Sequence, residues 1–225
     1  MTSRLDRILS VALTTSAMVI AGSIAYRAFA VASPKRATSQ PTFINEWTSV
    51  LPQGIRVGDS SAAVTILEFA DLECPACRAY HSTLTQLLEE YRRDVAVVYV
   101  SFPLTIHRFA DGAARAADCA ARVGRFREWI EVVYRKQDSL GLKSWGAFAQ
   151  EAGIQDTAAI QRCAVDRRPV ARIASGVAFG REIGVTGTPT VLINGWRYYG
   201  APTKEELTKA VERLLKGKKP FGKAD

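Results

Sequence analysis

With two histidines and four cysteines in 225 residues, the chain is poor in metal ligands, and no second cysteine or histidine cluster completes a tetrahedral zinc set. No internal repeat runs through it. Disorder and fibrous classes are excluded as well, because a chain of this length that is 48% hydrophobic and 23% charged can bury a full globular core. Acidic residues are the minority, 22 against 30 lysines and arginines, for a formal charge of +8. Such an excess suits an anionic partner, but the basic residues are scattered. Their only dense run is Lys216, Lys218, Lys219 and Lys223, with no zinc-ligand pattern or aromatic RNA-binding motif beside it. It reads as a solvated end, with a basic tail over 218–225, and no nucleic-acid partner is expected.

Charge is also missing from residues 8–26, which follow Arg4 and Arg7 and precede Arg27 and the small-x-small triplet Ala28-Phe29-Ala30. That order is the form of a signal peptide with its cleavage site. Nineteen residues at ~1.5 Å each also nearly cross a ~30 Å hydrocarbon layer, so residues 1–32 are expected to be either a cleaved signal or an uncleaved membrane anchor. Residues 33–42, rich in Ser, Thr, Pro and basic side chains, read as a linker. The expected location is extracytoplasmic: the periplasm or the outer face of the cytoplasmic membrane, released or tethered. Disulfide chemistry is permitted there.

Residues 63–70 (AVTILEFA) read as a buried strand leading into Cys74. Tyr80, Leu84, Leu87, Leu88 and Tyr91 recur at helical spacing behind Pro75, a residue tolerated in a first turn, which predicts a helix from 75 to about 92. A second strand is expected over 95–102 and stops at Pro103. The three form a β-α-β unit with parallel strands. From 106 to 183 the sequence becomes alanine-rich and 3.6-periodic, with breaks at Gly124, Gly141, Gly153 and 166–169, the pattern of several helices. Strand signals return at 190–193, turn at Asn194-Gly195 and resume over 196–199 as a hairpin. Thr203, with Glu206 three residues on, opens a last helix whose apolar face is Leu207, Val211, Leu214 and Leu215. The class is α/β, a mixed sheet interrupted by a helical block.

The chemistry lies in Cys74-Pro75-Ala76-Cys77. Two cysteines three apart are too close for an ordinary staple, and the pattern alone also suits half of a zinc site or a soft-metal binder. Its position between a strand and a helix start places the Cys74 sulfur against unpaired N–H groups at the positive end of the helix dipole. Those groups stabilise a thiolate, the species that attacks disulfides, and draw its pKa from ~8.5 toward ~3.5 to 7.5. Cys77, one turn further in, is expected to be buried and to act second. Glu68 places a carboxyl in an apolar strand; if buried, its pKa rises into a range useful for proton transfer, and if it faces solvent it does nothing.

The run Phe69-Ala70-Asp71-Leu72-Glu73-Cys74-Pro75-Ala76-Cys77 strongly resembles the active site of the DsbA-like branch of the thioredoxin superfamily. The resemblance covers about residues 43–215 and implies a thioredoxin-like mixed sheet in two parts, 43–105 and 184–217, with an inserted helical domain at 106–183. It implies that Glu68 exchanges a proton with Cys77. It also marks Gly184-Val185-Thr186-Gly187-Thr188-Pro189-Thr190 as the family's cis-proline loop, in which the backbone of Thr188 hydrogen-bonds an extended substrate beside the sulfurs and Pro189 packs against them. Cys119 and Cys163, in the helical block, are implied to form a structural disulfide, or else remain two buried thiols. The activity implied is that of an enzyme, a protein thiol–disulfide oxidoreductase with no cofactor and no metal. It donates a disulfide to reduced or misoxidised exported proteins and is reoxidised by a membrane redox partner.

Two departures bear on direction. Ala76 stands where the strongest oxidants of the family carry a histidine, and Asp71 and Glu73 disfavour a Cys74 thiolate if their charges lie close. Both point to a less oxidising pair. A reductase or isomerase on the same scaffold, or a copper carrier using the two thiolates, are the rivals; the short sequence between linker and first strand leaves little room for a dimerisation domain, so a monomer is expected. His81 shares a helix face with Cys77 but is read as a partly exposed packing residue, and His107 as local in its contacts. Trp47, Trp129, Trp145 and Trp196, with Tyr198 and Tyr199, are read as core or groove aromatics.

Overall fold

The computed structural model describes residues 13, 15, 16, 18–23, 41–198 and 200–222. Two compact units are present, 1–39 and 40–225. In the first, the described residues are helical; the cleavage triplet and most of the expected linker lie outside the described residues. Among the described residues no helix is long and apolar enough to cross a membrane.

The second unit is built on a six-stranded sheet: β1 (Thr42–Phe43), β2 (Ile55–Gly58), β3 (Val64–Ala70), β4 (Val95–Ser101), β5 (Thr190–Ile193) and β6 (Trp196–Arg197), in the order β1-β6-β5-β3-β4-β2. Among the described strands only β3 and β4 pair in parallel, and α1 (Pro75–Glu90) joins them as the sequence predicts. Every side chain of β3 is buried, as expected of a central strand covered on both faces. Ile66 and Val97 face one core cluster with α1, while Leu67, Phe69, Val98 and Val100 face another that includes Phe102 and Val185.

Between β4 and β5 the chain forms α2 (Ala110–Arg122), α3 (Phe126–Arg135), a 3-10 turn (Gln137–Ser139), α4 (Trp145–Glu151), α5 (Thr157–Val165) and α6 (Ala171–Glu182). Trp129, Phe148, Ile130 and Ile160 are buried in the same core cluster as Cys77, Leu84 and Leu87, so the helical block shares its core with the sheet. Gly180 lets α6 approach the sheet: a Cβ there would lie 2.7 Å from the Phe102 ring and 3.0 Å from Phe69. Asn194 (φ 42°) and Gly195 (φ 84°) supply the two left-handed residues of the β5–β6 hairpin. The last helix, α7 (Lys204–Leu215), opens with the expected capping box, in which the Thr203 hydroxyl accepts from the Glu206 N–H and the Glu206 carboxylate accepts from the Thr203 N–H.

Four elements depart from the sequence reading. β1 and β2 carry too short a pattern to announce themselves, and only pairing with β6 and β4 defines them. The second hairpin strand is shorter than 196–199, ending at Arg197. The first inserted helix starts at Ala110 because residues 104–109 are tied instead to the loop before Cys74.

Candidate active site

Strand β3 ends at Ala70, and a short loop delivers Cys74 to the N-cap of α1 with Pro75 at the first helical position. Proline costs nothing there because its missing N–H has no helical partner. Both active-site cysteines are free thiols and buried. The Cys74 pKa is lowered to about 5, first by a hydrogen bond from the Cys77 thiol, and further by Thr188 and the backbone N–H groups of Cys77 and Ala76, against an opposing effect of burial. Cys77 is pushed strongly the other way by its hydrogen bond to Cys74, by burial and by the charge of Glu68. The two sulfurs are thus set far apart in acidity, with Cys74 ionised at neutral pH and Cys77 protonated.

Asp71 and Glu73 would disfavour the Cys74 thiolate only if their charges acted on the sulfur, and the causes that set its pKa do not include them. Asp71 is buried; its Oδ1 accepts from the Glu73 N–H at 2.8 Å, and its Oδ2 accepts from the Leu104 N–H and faces His107 Nδ1, each at 2.8 Å. Glu73 turns to accept from the Phe109 N–H. Each carboxylate accepts a hydrogen bond from a backbone N–H of the 104–109 segment. His107 is therefore not local: burial pulls its pKa down, but the hydrogen bond to Asp71 and the charges of Asp71, Cys74 and Glu73 outweigh that and leave it raised.

Glu68 is 1% exposed and neither of its oxygens has a hydrogen-bond partner among the described residues. Burial, then the Cys74 charge, raises its pKa to about 8. Thr188 and Pro189, joined by a cis peptide bond, arrive from the loop before β5. The protonated Cys74 sulfur donates to the Thr188 carbonyl at 3.3 Å, so residues 114 apart in sequence meet at the reactive atom.

Cys119 and Cys163 form a disulfide between α2 and α5 with Cα atoms 6.4 Å apart. His81 is more buried than a partly exposed packing residue: its Nε2 lies 3.0 Å from Glu131 Oε1 and its Nδ1 3.5 Å from the Tyr99 hydroxyl. Trp129 is fully buried, while Trp196 packs at the β1–β6 edge against Phe43 and Phe221; Tyr199 lies outside the described residues. One residue escaped the sequence reading. Gln137, buried in the 3-10 turn, donates through Nε2 to the Leu72 and Cys74 carbonyls at 2.9 and 3.0 Å. Nothing in its local sequence marks it, because its partners lie more than sixty residues earlier.

A β-α-β unit that carries a low-pKa cysteine at the N-cap of its helix, faced by a cis-proline loop and backed by a helical insertion, defines the class: a thioredoxin-type fold with an inserted helical block. A family model described as thioredoxin matches residues 50–213, and the chain belongs to that family. Among solved structures, a thioredoxin-like oxidoreductase from Silicibacter pomeroyi is 26% identical with a TM-score of 0.63, covering 75% of this chain and 97% of that one. Wolbachia pipientis alpha-DsbA1, 20% identical with a TM-score of 0.64 over 74% of this chain and 93% of its own, shares the fold. A curated relative, the Na(+)/H(+) antiporter NhaA 3 of Salinispora tropica, is 36% identical over 155 residues, 68% of this chain but 24% of the antiporter. The chain spans about a quarter of the length of the curated relatives it matches, and the rest of those proteins is unmatched.

Proposed function

We propose that this chain is an extracytoplasmic oxidoreductase that donates a Cys74–Cys77 disulfide to reduced or misoxidised exported proteins, acts as a monomer and is reoxidised by a membrane partner. The observation that carries this reading is the opposed acidity of the two sulfurs, with Cys74 near 5 and Cys77 held protonated. A stabilised thiolate favours the reduced enzyme, and an enzyme whose reduced form is favoured gives its disulfide away. The uncharged leader over 8–26 and the Cys119–Cys163 disulfide support a location outside the cytoplasm. In this reading residues 1–32 export or anchor the chain, 33–42 link it, and 106–183 serve as an inserted helical domain between the two thioredoxin-like parts, 43–105 and 184–217, ahead of the basic tail at 218–225.

In the donating direction a client thiolate attacks Cys74 Sγ, the Cys74–Cys77 bond breaks, and Cys77 leaves as a thiolate that takes the proton of the Glu68 carboxyl. A second client thiolate attacks the client sulfur of the mixed disulfide, and Cys74 leaves as a thiolate that is stable at neutral pH without a proton. The client is oxidised by two electrons and the enzyme pair is reduced. For reoxidation Cys74 attacks the partner's disulfide, Glu68 takes the Cys77 proton, and Cys77 displaces the partner's sulfur from Cys74. The client backbone lies along Thr188 and Pro189 as an added strand.

Equilibration of the full chain in glutathione redox buffers tests the direction. A potential between roughly −120 and −180 mV is expected of a donor, and one near roughly −270 mV makes the protein a reductase.

A further inference from the structure

With its pKa raised to about 8, Glu68 takes up a proton from water near neutral pH once it has given its own to Cys77, and must lose it again before it can accept the Cys77 proton on reoxidation. No hydrogen bond from either Glu68 oxygen to a described residue supplies that route. The opposite side of the site offers another route. Glu68 and Tyr99 stand directly across from each other in the parallel β3–β4 register, so both side chains leave the same face of the sheet. The Tyr99 hydroxyl reaches His81 Nδ1 at 3.5 Å, and His81 Nε2 reaches Glu131 Oε1 at 3.0 Å. The Glu131 side chain is 41% exposed and lines, with His81, Tyr134 and Arg78, a surface groove of about 420 Å³ between α1 and α3. The Tyr134 ring packs on the His81 ring at 4.9 Å, and its buried hydroxyl, like the two Glu68 oxygens, has no partner among the described residues. Such a set of clustered donors and acceptors is what a buried water satisfies.

We propose that Glu68 exchanges its proton with solvent through Tyr99, His81 and Glu131, by way of the groove between α1 and α3, with one water between Glu68 and the Tyr99 hydroxyl. The inference rests on the reading of Glu68 as the proton donor to Cys77. Outbound, the Glu68 O–H donates through the water to Tyr99, the Tyr99 O–H donates to His81 Nδ1, and His81 gives up its Nε2 proton to Glu131, which releases it to the groove. Reprotonation runs in reverse; the outbound step leaves Glu68 as the carboxylate that accepts the Cys77 proton, with no net change of charge on Tyr99 or His81. The titratable and charged groups acting on this path are Cys74, Cys77 and Tyr80 from α1 and its cap, Asp71 from the preceding loop, Tyr99 from β4, and Arg127, Glu131 and Tyr134 from α3. They hold the two tyrosines neutral, with burial as the largest cause, as a relay that passes protons without storing charge requires.

The test is single-turnover reoxidation of the reduced full-length protein by a small-molecule disulfide between pH 5 and 9 at low buffer concentration, comparing Glu131→Gln and His81→Phe with the parent. Phenylalanine keeps the ring packed on Tyr134, and Glu131 is exposed enough that its amide variant folds. A loss of about tenfold in rate near pH 7, restored by free imidazole, with an unchanged reduction potential, is the expected result for a general-base path. A rate that does not change in Glu131→Gln, or that falls without rescue by imidazole, overturns the relay. Glu68→Gln run alongside separates the two ideas: if it is as fast as the parent, the underlying reading of Glu68 fails, and if it alone is slow, only the relay fails.

Discussion

At the scale of single residues, Glu68 shows how burial and not sequence position makes a carboxyl useful. Its pKa is near 4.5 in the unfolded chain and about 8 when folded. Below pH 4.5 both states are neutral; between the two values only the unfolded state is charged, so stability falls as pH rises and levels off above about 8. At ~1.4 kcal/mol per unit the whole loss is roughly 3 to 5 kcal/mol. Glu68→Leu is therefore expected to raise the urea midpoint of the oxidised protein at pH 8.5 far more than at pH 4; equal shifts at both would refute the assignment. Oxidation removes the Cys74 thiolate, leaving burial, the larger cause, as what the comparison reads.

At the scale of elements, the start of α1 is held by parts of the chain that its own sequence does not mention. Asp71 and Glu73 cap the 104–109 segment, and Gln137 reaches back from the helical block to two carbonyls around Cys74. Gln137→Leu leaves both buried acceptors without that donor, a cost of about 1 to 3 kcal/mol, to be read from urea unfolding; a loss below a few tenths would mean that other donors replace it. The β-α-β unit, the hairpin turn and the Thr203 capping box were legible because each rests on a local rule: apolar period, left-handed Asn-Gly, or a hydroxyl three residues before a carboxylate. β1 and β2 were not, since a two- or four-residue strand exists only through its partner.

At the scale of the whole molecule, the Cys119–Cys163 disulfide closes a 44-residue separation and restrains the unfolded chain, for about 2 to 4 kcal/mol. Replacing both by alanine is expected to lower stability by that amount while iodoacetamide labelling of Cys74 keeps its midpoint near pH 5. A shifted midpoint would show that the helical block tunes the site through this crosslink. Continuity of the core between sheet and block makes such transmission physically open, which is why the labelling is measured together with stability.

The sequence by itself determined the closely spaced cysteine pair, its strand-to-helix placement and the α/β class, because thiolate stabilisation at a helix start and the apolar periods of 2 and 3.6 are local properties of the chain, whereas the proline loop was legible only through the resemblance to a known family. Only the tertiary structure decided which charges reach Cys74. Asp71 and Glu73 are adjacent to it in sequence yet are drawn off by backbone donors thirty-odd residues later, whereas Thr188 and Gln137, distant in sequence, touch it. Electrostatic influence falls with distance through space and with competition for donors, and neither quantity is written in the order of residues.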